Sequence, residues 1–288
     1  MKTEITLRLK EQPSIPVEAE SINPENLKGK SLKEIYHLPL WSGNRRQKLE
    51  DYFEVEITES GGEAEEAKVL QSEDNLAKVV LAGDLSRFKR LGQGMAAGEM
   101  EIRGSVGFHA GASMRGGVLR IKGNAADWLG AHMEGGQIMV EGSAGHFVGA
   151  AYRGKTQGMS GGTILIRGSA GQMTGSRMRR GLIAVGGDCG DVPGFKMLAG
   201  TILISGACGI RAGANMRRGT IVLLQPTRLL PSFYYNCCYR PVFWGILVQE
   251  LRQKGFELPH ADQDFSFQRF SGDANEGGKG EILICQSN

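Results

Sequence analysis

The chain has 288 residues, 41% of them hydrophobic and 23% charged, enough for one large domain with appendages. A net charge of only +3 points to neither nucleic acid nor a membrane surface, and no apolar run is long enough to span a bilayer. Five cysteines without framework spacing, and no signal-peptide core in residues 1–13, lead us to expect a reducing cytoplasm.

Residues 3–9 alternate polar and apolar and predict a strand. A loop carrying Pro13, Pro16 and Pro24 follows. Ser31, with Glu34 three residues on, is a capping box that opens a short helix through Leu32, Ile35 and Leu38. Residues 38–44 read as a turn and 49–57 as a second strand. The acidic, glycine-containing stretch 59–67 reads as a solvated linker.

The 43 glycines are periodic, so they signal repeats rather than disorder. They fall at Gly98, Gly117 and Gly136, then slip once and resume at Gly162, Gly181, Gly200 and Gly219, 19 residues apart. Two and four residues after each glycine stands an aliphatic residue: Met100 and Ile102 in the first unit, Ile221 and Leu223 in the last. Such alternation is a strand with one face inward, and the bracketing glycines suit tight corners. A helix is a poor fit, because each interior glycine would cost about 1 kcal/mol. Each unit is therefore expected to be one coil of an all-β solenoid, about seven coils in all, with like residues stacked about 4.8 Å apart. The eighth row, from Val106 through Ala125, Ala144, Ala170 and Cys189 to Cys208, is small throughout, as a narrow corner requires. Residues 77–98 form a degenerate first coil, with Gly92 and Met95 on the beat and Gly83 off it.

Three segments result: a cap at 1–76 covering the first strand edge, the solenoid at 77–225, and a helix-containing segment at 226–288. The slip between Gly136 and Gly162 is 26 residues, 19 plus 7, and the surplus sits at 152–158 as an outward loop, either neutral decoration or functional. The outward row beginning at Glu101 and Arg120 turns apolar from Met139 to Val222, so it must be covered, either by the C-terminal segment or by another chain. After the repeats, 241–252 reads as a helix with Pro241 near its first turn and Gly255 beyond its end, and 280–285 as a last strand.

No catalytic constellation stands out. Cys237 and Cys238 are adjacent, not CxxC; His37, His109, His132, His146 and His260 lack metal-ligand spacing, and His109 and His146 are expected to bond backbone. Cys189 and Cys208 read as buried thiols and the methionine row (Met114 to Met216) as core packing. Glycine pairs do not sit between strand and helix, so no nucleotide fingerprint is supported. One feature remains. Arg115, Arg153, Arg177, Arg179, Arg180, Lys196, Arg217 and Arg218 lie beside the methionine row on one edge. They serve either as salt bridges or as a track for an extended anionic ligand. A polysaccharide-binding solenoid is disfavoured by the absence of an aromatic ladder.

Gly-Ser-Ala-Gly-x-x-x-Gly at 142–149 and 168–175, the segment 123–136, residues 149–154, Tyr235 to Phe243, 270–273 and 38–44 together resemble the C subunit of formylmethanofuran dehydrogenase. The glycine repeats alone also resemble the C-terminal β-helix of the glutamate synthase large subunit, the alternative reading. The resemblance covers most of the chain and implies a right-handed parallel β-helix with a non-catalytic role. It implies no cofactor on this chain. A dinuclear metal hydrolase centre, and in the dehydrogenase a molybdopterin or tungstopterin centre, belong to partner chains. Those partners are the hydrolase-like, pterin-type and formyltransferase-like subunits. A related formyltransferase/hydrolase complex moves formyl groups between carriers without the redox step. Its methanofuran-type carriers bear glutamyl chains, which makes Arg153, Lys155, Arg179, Arg180, Arg217 and Arg218 the candidate carrier-binding residues.

Overall fold

The computed structural model describes residues 3–59, 76–258 and 265–286. Among these residues there are seventeen strands and three α-helices. The N-terminal part holds β1 (Thr3–Leu9), β2 (Val17–Glu18), α1 (Pro24–Leu27), α2 (Leu32–Tyr36), β3 (Pro39–Ser42), β4 (Arg45–Lys48) and β5 (Phe53–Glu59). The middle holds β6 (Lys78–Ala82), β7 (Phe88–Lys89), β8 (Glu99–Arg103), β9 (Val118–Ile121), β10 (Gln137–Val140), β11 (Thr163–Ile166), β12 (Leu182–Val185), β13 (Thr201–Ile204) and β14 (Arg218–Leu223). Then come β15 (Tyr234–Tyr239), α3 (Val242–Gln253), β16 (Ser266–Gly272) and β17 (Lys279–Gln286). Beyond Glu59, the expected acidic linker lies outside the described residues.

One mixed sheet of thirteen strands dominates the described residues, in the order β15-β16-β17-β14-β13-β12-β11-β10-β9-β8-β6-β1-β5. From β1 to β17 every neighbouring pair is parallel; β5 at one edge and β16 and β15 at the other add antiparallel. The register is the one the repeat demands. Met100 pairs with Leu119, Ile138 with Ile164, and Ile202 with Ile221, each in its neighbour's equivalent place. Every side chain of that row is fully buried. Each contributes roughly 1.5–3 kcal/mol on leaving water, so the row is the main source of core stability. The degenerate first unit keeps the register too, with Val79 beside Met100 and Leu81 beside Ile102.

A second line of parallel bridges runs through the small-residue row, from Leu85–Val106 to Cys189–Cys208. One residue before it, side chains cap the next unit's backbone. Ser105 Oγ accepts from Asn124 N at 3.1 Å, Asn124 Oδ1 from Ser143 N at 2.8 Å, and Asp188 Oδ1 from Ala207 N at 2.7 Å. These bonds satisfy backbone donors that the strand ladder does not reach.

The outward row splits as its sequence does. Its charged start is paired: Lys78 Nζ on the neighbouring strand and Arg103 Nε on the same strand lie 2.7 and 2.8 Å from Glu101. The hydrogen bonds from Arg103 and Lys78 hold the Glu101 carboxyl down at about 2. Its apolar end is covered. Leu165, Ala184, Leu203 and Val222 pack with Trp244, Leu247, Val248 and Leu251 of α3. Of the two covers the sequence allows, the chain's own helix is the one present.

At the N-terminal end, the capping box at Ser31 and Glu34 is present and opens α2. Three readings need correction. Residues 39–42 are strand, not turn; only Gly43-Asn44 turns, closing the β3–β4 hairpin. Pro24 stands in α1 rather than loop, with Asn23 as N-cap, because proline at the first helical position loses no hydrogen bond. Glu25 of α1 then accepts from Ala96 N at 2.6 Å and Ala97 N at 2.8 Å, tying this helix to the first unit. The third is the C-terminal segment, where β15 and β16 are strands that the sequence reading lacks.

Cys189 and Cys208 are free and adjacent in the small-residue ladder. Burial pushes their thiols up to about 11 and about 12. Cys237 and Cys238 are exposed. Iodoacetamide at pH 8 should therefore label Cys237 and Cys238 in the native protein, and Cys189 and Cys208 only after unfolding; peptide mass spectrometry reads the order, because the thiolate is the nucleophile. A second expectation concerns two glycines of like φ. Gly136 (φ +81°) has Gly116 O 2.6 Å from where a Cβ would stand, whereas Gly154 (φ +82°) has nothing within 4 Å. Gly154→Ala should cost only the left-handed conformation, about 1–2 kcal/mol, and Gly136→Ala distinctly more; equal losses in denaturant unfolding would contradict the register.

Candidate functional site

The surplus residues leave the repeat after Ala151 and return at Met159, which refills the methionine row and is fully buried. The loop they form is pinned at both ends. Tyr152 N donates to His132 Nε2 at 2.8 Å, and its hydroxyl lies 2.9 Å from His109 Nδ1. Its ring packs on His132, Trp128 and His109 at centroid distances of 4.8, 5.1 and 5.4 Å. At the far end, Arg177 Nη1 donates to Lys155 O at 2.9 Å and Arg179 Nη1 to Gln157 Oε1 at 3.2 Å.

The row of cations predicted from the sequence is real but interrupted. Arg115, Glu134, Ser160, Arg179, Leu198 and Arg217 occupy the same place two residues before each repeat glycine. Their backbones stack: Arg179 N donates to Met159 O, Leu198 N to Met178 O and Arg217 N to Met197 O. Arg179 and Arg217 are thus two rungs apart, about 10 Å, near the Debye length at physiological salt. Several members have local partners. Arg115 reaches toward Gly94 O at 3.5 Å, Lys196 lies over the Phe195 ring, and Arg217 Nε meets Glu276 at 3.0 Å. Arg153, Lys155, Arg180 and Arg218 are exposed and, among the described residues, have no carboxylate within ion-pair distance. Arg153 and Lys155 ride on the loop, Arg180 sits on the turn before β12, and Arg218 opens β14.

A row of aromatic residues is present that the sequence reading lacks. Eleven residues after Gly98, Gly117 and Gly136 stand His109, Trp128 and Phe147, and Arg90 holds the same place in the degenerate first unit, all with positive φ. Trp128 stacks on Phe147 at 4.3 Å with 8° between planes, and His109 on Trp128 at 6.3 Å. The expected lack of an aromatic ladder is therefore wrong. The signal is present in the spacing, but it belongs to a row of mixed types. His146 does bond backbone, accepting from Gln172 N at 3.0 Å; His109 instead meets the Tyr152 hydroxyl. His260 lies outside the described residues. Among the described residues no three His, Cys, Asp or Glu side chains are grouped as metal ligands would be, and no helix is long and apolar enough to cross a membrane. The arrangement offers cationic side chains around one loop and, among the described residues, no convergent acid, base or nucleophile.

The GXGXG motif family model matches residues 52–236. The C subunit of a tungsten-containing formylmethanofuran dehydrogenase 2 from Methanothermobacter thermautotrophicus is 40% identical over 110 residues, 38% of this chain and 37% of that protein. The C subunit of a molybdenum-containing formylmethanofuran dehydrogenase 1 from Methanosarcina barkeri is 40% identical over 106 residues, 37% of this chain and 32% of that protein. The chain thus matches about a third of the length of these curated relatives. A chain in the crystal structure of the formyltransferase/hydrolase complex (FhcABCD) from Methylorubrum extorquens with methylofuran is alike from end to end. It shares 32% identity and a TM-score of 0.84, over 98% of this chain and all of that one. This chain belongs to the GXGXG motif family and is a relative of the formylmethanofuran dehydrogenase C subunits.

Proposed function

We propose that this chain is the non-catalytic scaffold and carrier-binding C subunit of a formylmethanofuran dehydrogenase-type or formyltransferase/hydrolase complex. The observation that carries this reading is the end-to-end likeness to a chain of a complex crystallised with methylofuran. In this reading the hydrolase-like, pterin-type and formyltransferase-like subunits supply the chemistry, in the cytoplasm. The metal hydrolase centre and any molybdopterin or tungstopterin lie in those partners. The two parallel ladders and the 19-residue period support closing of the units into a right-handed parallel β-helix of about seven coils, capped by residues 1–76 and 226–288. The glutamate-synthase-like alternative explains the glycine repeat but not the likeness of both terminal segments.

The cations around the inserted loop suit a carrier with an anionic glutamyl tail. Arg153, Lys155, Arg180 and Arg218 are the contacts, because no carboxylate of the described chain neutralises them. Arg179 steadies the loop, and Arg217 is held by Glu276. Each exposed contact is worth about 0.2–1 kcal/mol and is screened by salt, so the tail is held without being trapped.

Replacing Arg153, Lys155, Arg180 and Arg218 by glutamine in the assembled complex should raise KM for carriers with long glutamyl chains about tenfold at low salt, with kcat unchanged. The effect should shrink for short chains and at high salt. Normal assembly with unchanged KM for long and short carriers would overturn the carrier assignment.

A further inference from the structure

One hold on the inserted loop fixes the protonation state of an imidazole. His132 Nε2 accepts the Tyr152 backbone N–H at 2.8 Å, and a backbone amide can only donate. That nitrogen must therefore be unprotonated. His109 is different: it meets a hydroxyl, which can turn from donor to acceptor, so protonation of His109 need not break its contact. The other side-chain holds on the loop are guanidinium hydrogen bonds from Arg177 to Lys155 O and from Arg179 to Gln157 Oε1, and neither involves an imidazole. We propose that neutral His132 is a pH-sensitive latch that positions the loop carrying Arg153 and Lys155, and that its protonation releases the loop from the face of the repeat.

The surroundings favour the latched form at neutral pH. Burial lowers the His132 pKa from its ordinary 6.5, and Lys155 on the loop pushes the same way; the Gln157 backbone opposes them. Around His109, burial, Arg90 and Lys89 lower the value against Glu18 and Asp127. Tyr152, the phenol between them, is pushed up by burial and stays neutral. The sign follows from proton linkage. The released state binds the proton more readily, so the latch is fully present above about pH 6.5 and weakens as pH falls below it, by at most about tenfold per unit for one linked proton. Release also frees Lys155 from a half-buried imidazole that would become a like charge.

Hydrogen exchange on the full-length chain, corrected for intrinsic rates, tests this. Protection of the 152–158 amides should be nearly constant from pH 8 to 7 and should fall by up to about fivefold between pH 6.5 and 5.5, while the amides of β11 and β12 stay protected. His132→Gln keeps an acceptor but no titrating nitrogen, so its protection should not change over that range; Tyr152→Phe should retain the wild-type pH dependence, because it keeps the backbone donor. Flat protection in the wild-type chain, or an unaltered pH dependence in His132→Gln, would overturn the latch. Its relevance to carrier handling rests on the function proposed above. In the assembled complex, KM for long carriers should rise on acidification in wild type and not in His132→Gln. Loop release without that rise would uphold the latch and overturn the carrier role of Arg153 and Lys155.

Discussion

The structure depends on register. In a parallel ladder each strand must present its apolar side chains where its neighbour does, because a slip of one residue turns the whole set to the other face. A period of 19 meets that demand without adjustment. Ile164, Ile183, Ile202 and Ile221 occupy one row and are fully buried. The polar row through Ser105, Asn124 and Asp188 repeats on the same beat, because each side chain caps a backbone donor one unit on. Apolar burial and backbone satisfaction thus select the same spacing, and their agreement specifies a single arrangement.

The inserted loop follows from this constraint. Seven surplus residues cannot enter the ladder, so the chain expels them and rejoins with Met159 in place. Once outside, the loop lies over a row whose residues are already aromatic. Tyr152 docks on Trp128, His109 and His132, and two arginines of the following unit hold the loop's other end. The exposed cations are therefore carried by a rigid repeat on one side and by a fastened loop on the other. That combination suits a flexible anionic partner, since several weak contacts are presented in a fixed geometry.

The repeat itself is legible in the sequence because equivalent residues recur, and recurrence reveals both strand and neighbour at once. The end of α3 and the need to cover Leu203 and Val222 are also legible, from an apolar row with nowhere else to go. The β3–β4 hairpin is not, since Pro39 and a four-residue strand give only a turn signal. β15 and β16 are hidden because their pairing is with each other and with β17, so no local pattern announces it. The latch is hidden for another reason. Tyr152 has no counterpart in the other units, and its partners lie 20 and 43 residues away in sequence. The charge pattern shows the basic edge but not that Glu276 answers Arg217, a pairing across 59 residues.

The direct test is deletion by one period. Removing residues 182–200 takes out a whole unit and leaves Gly181 followed by Thr201, so every row should close over the gap. Removing 182–191 takes out half a unit and puts each later row out of register. Thermal unfolding followed by circular dichroism should show a cooperative transition and strand-rich signal for the first deletion and neither for the second. Comparable stability for the two deletions would contradict the claim that the 19-residue register holds this protein together.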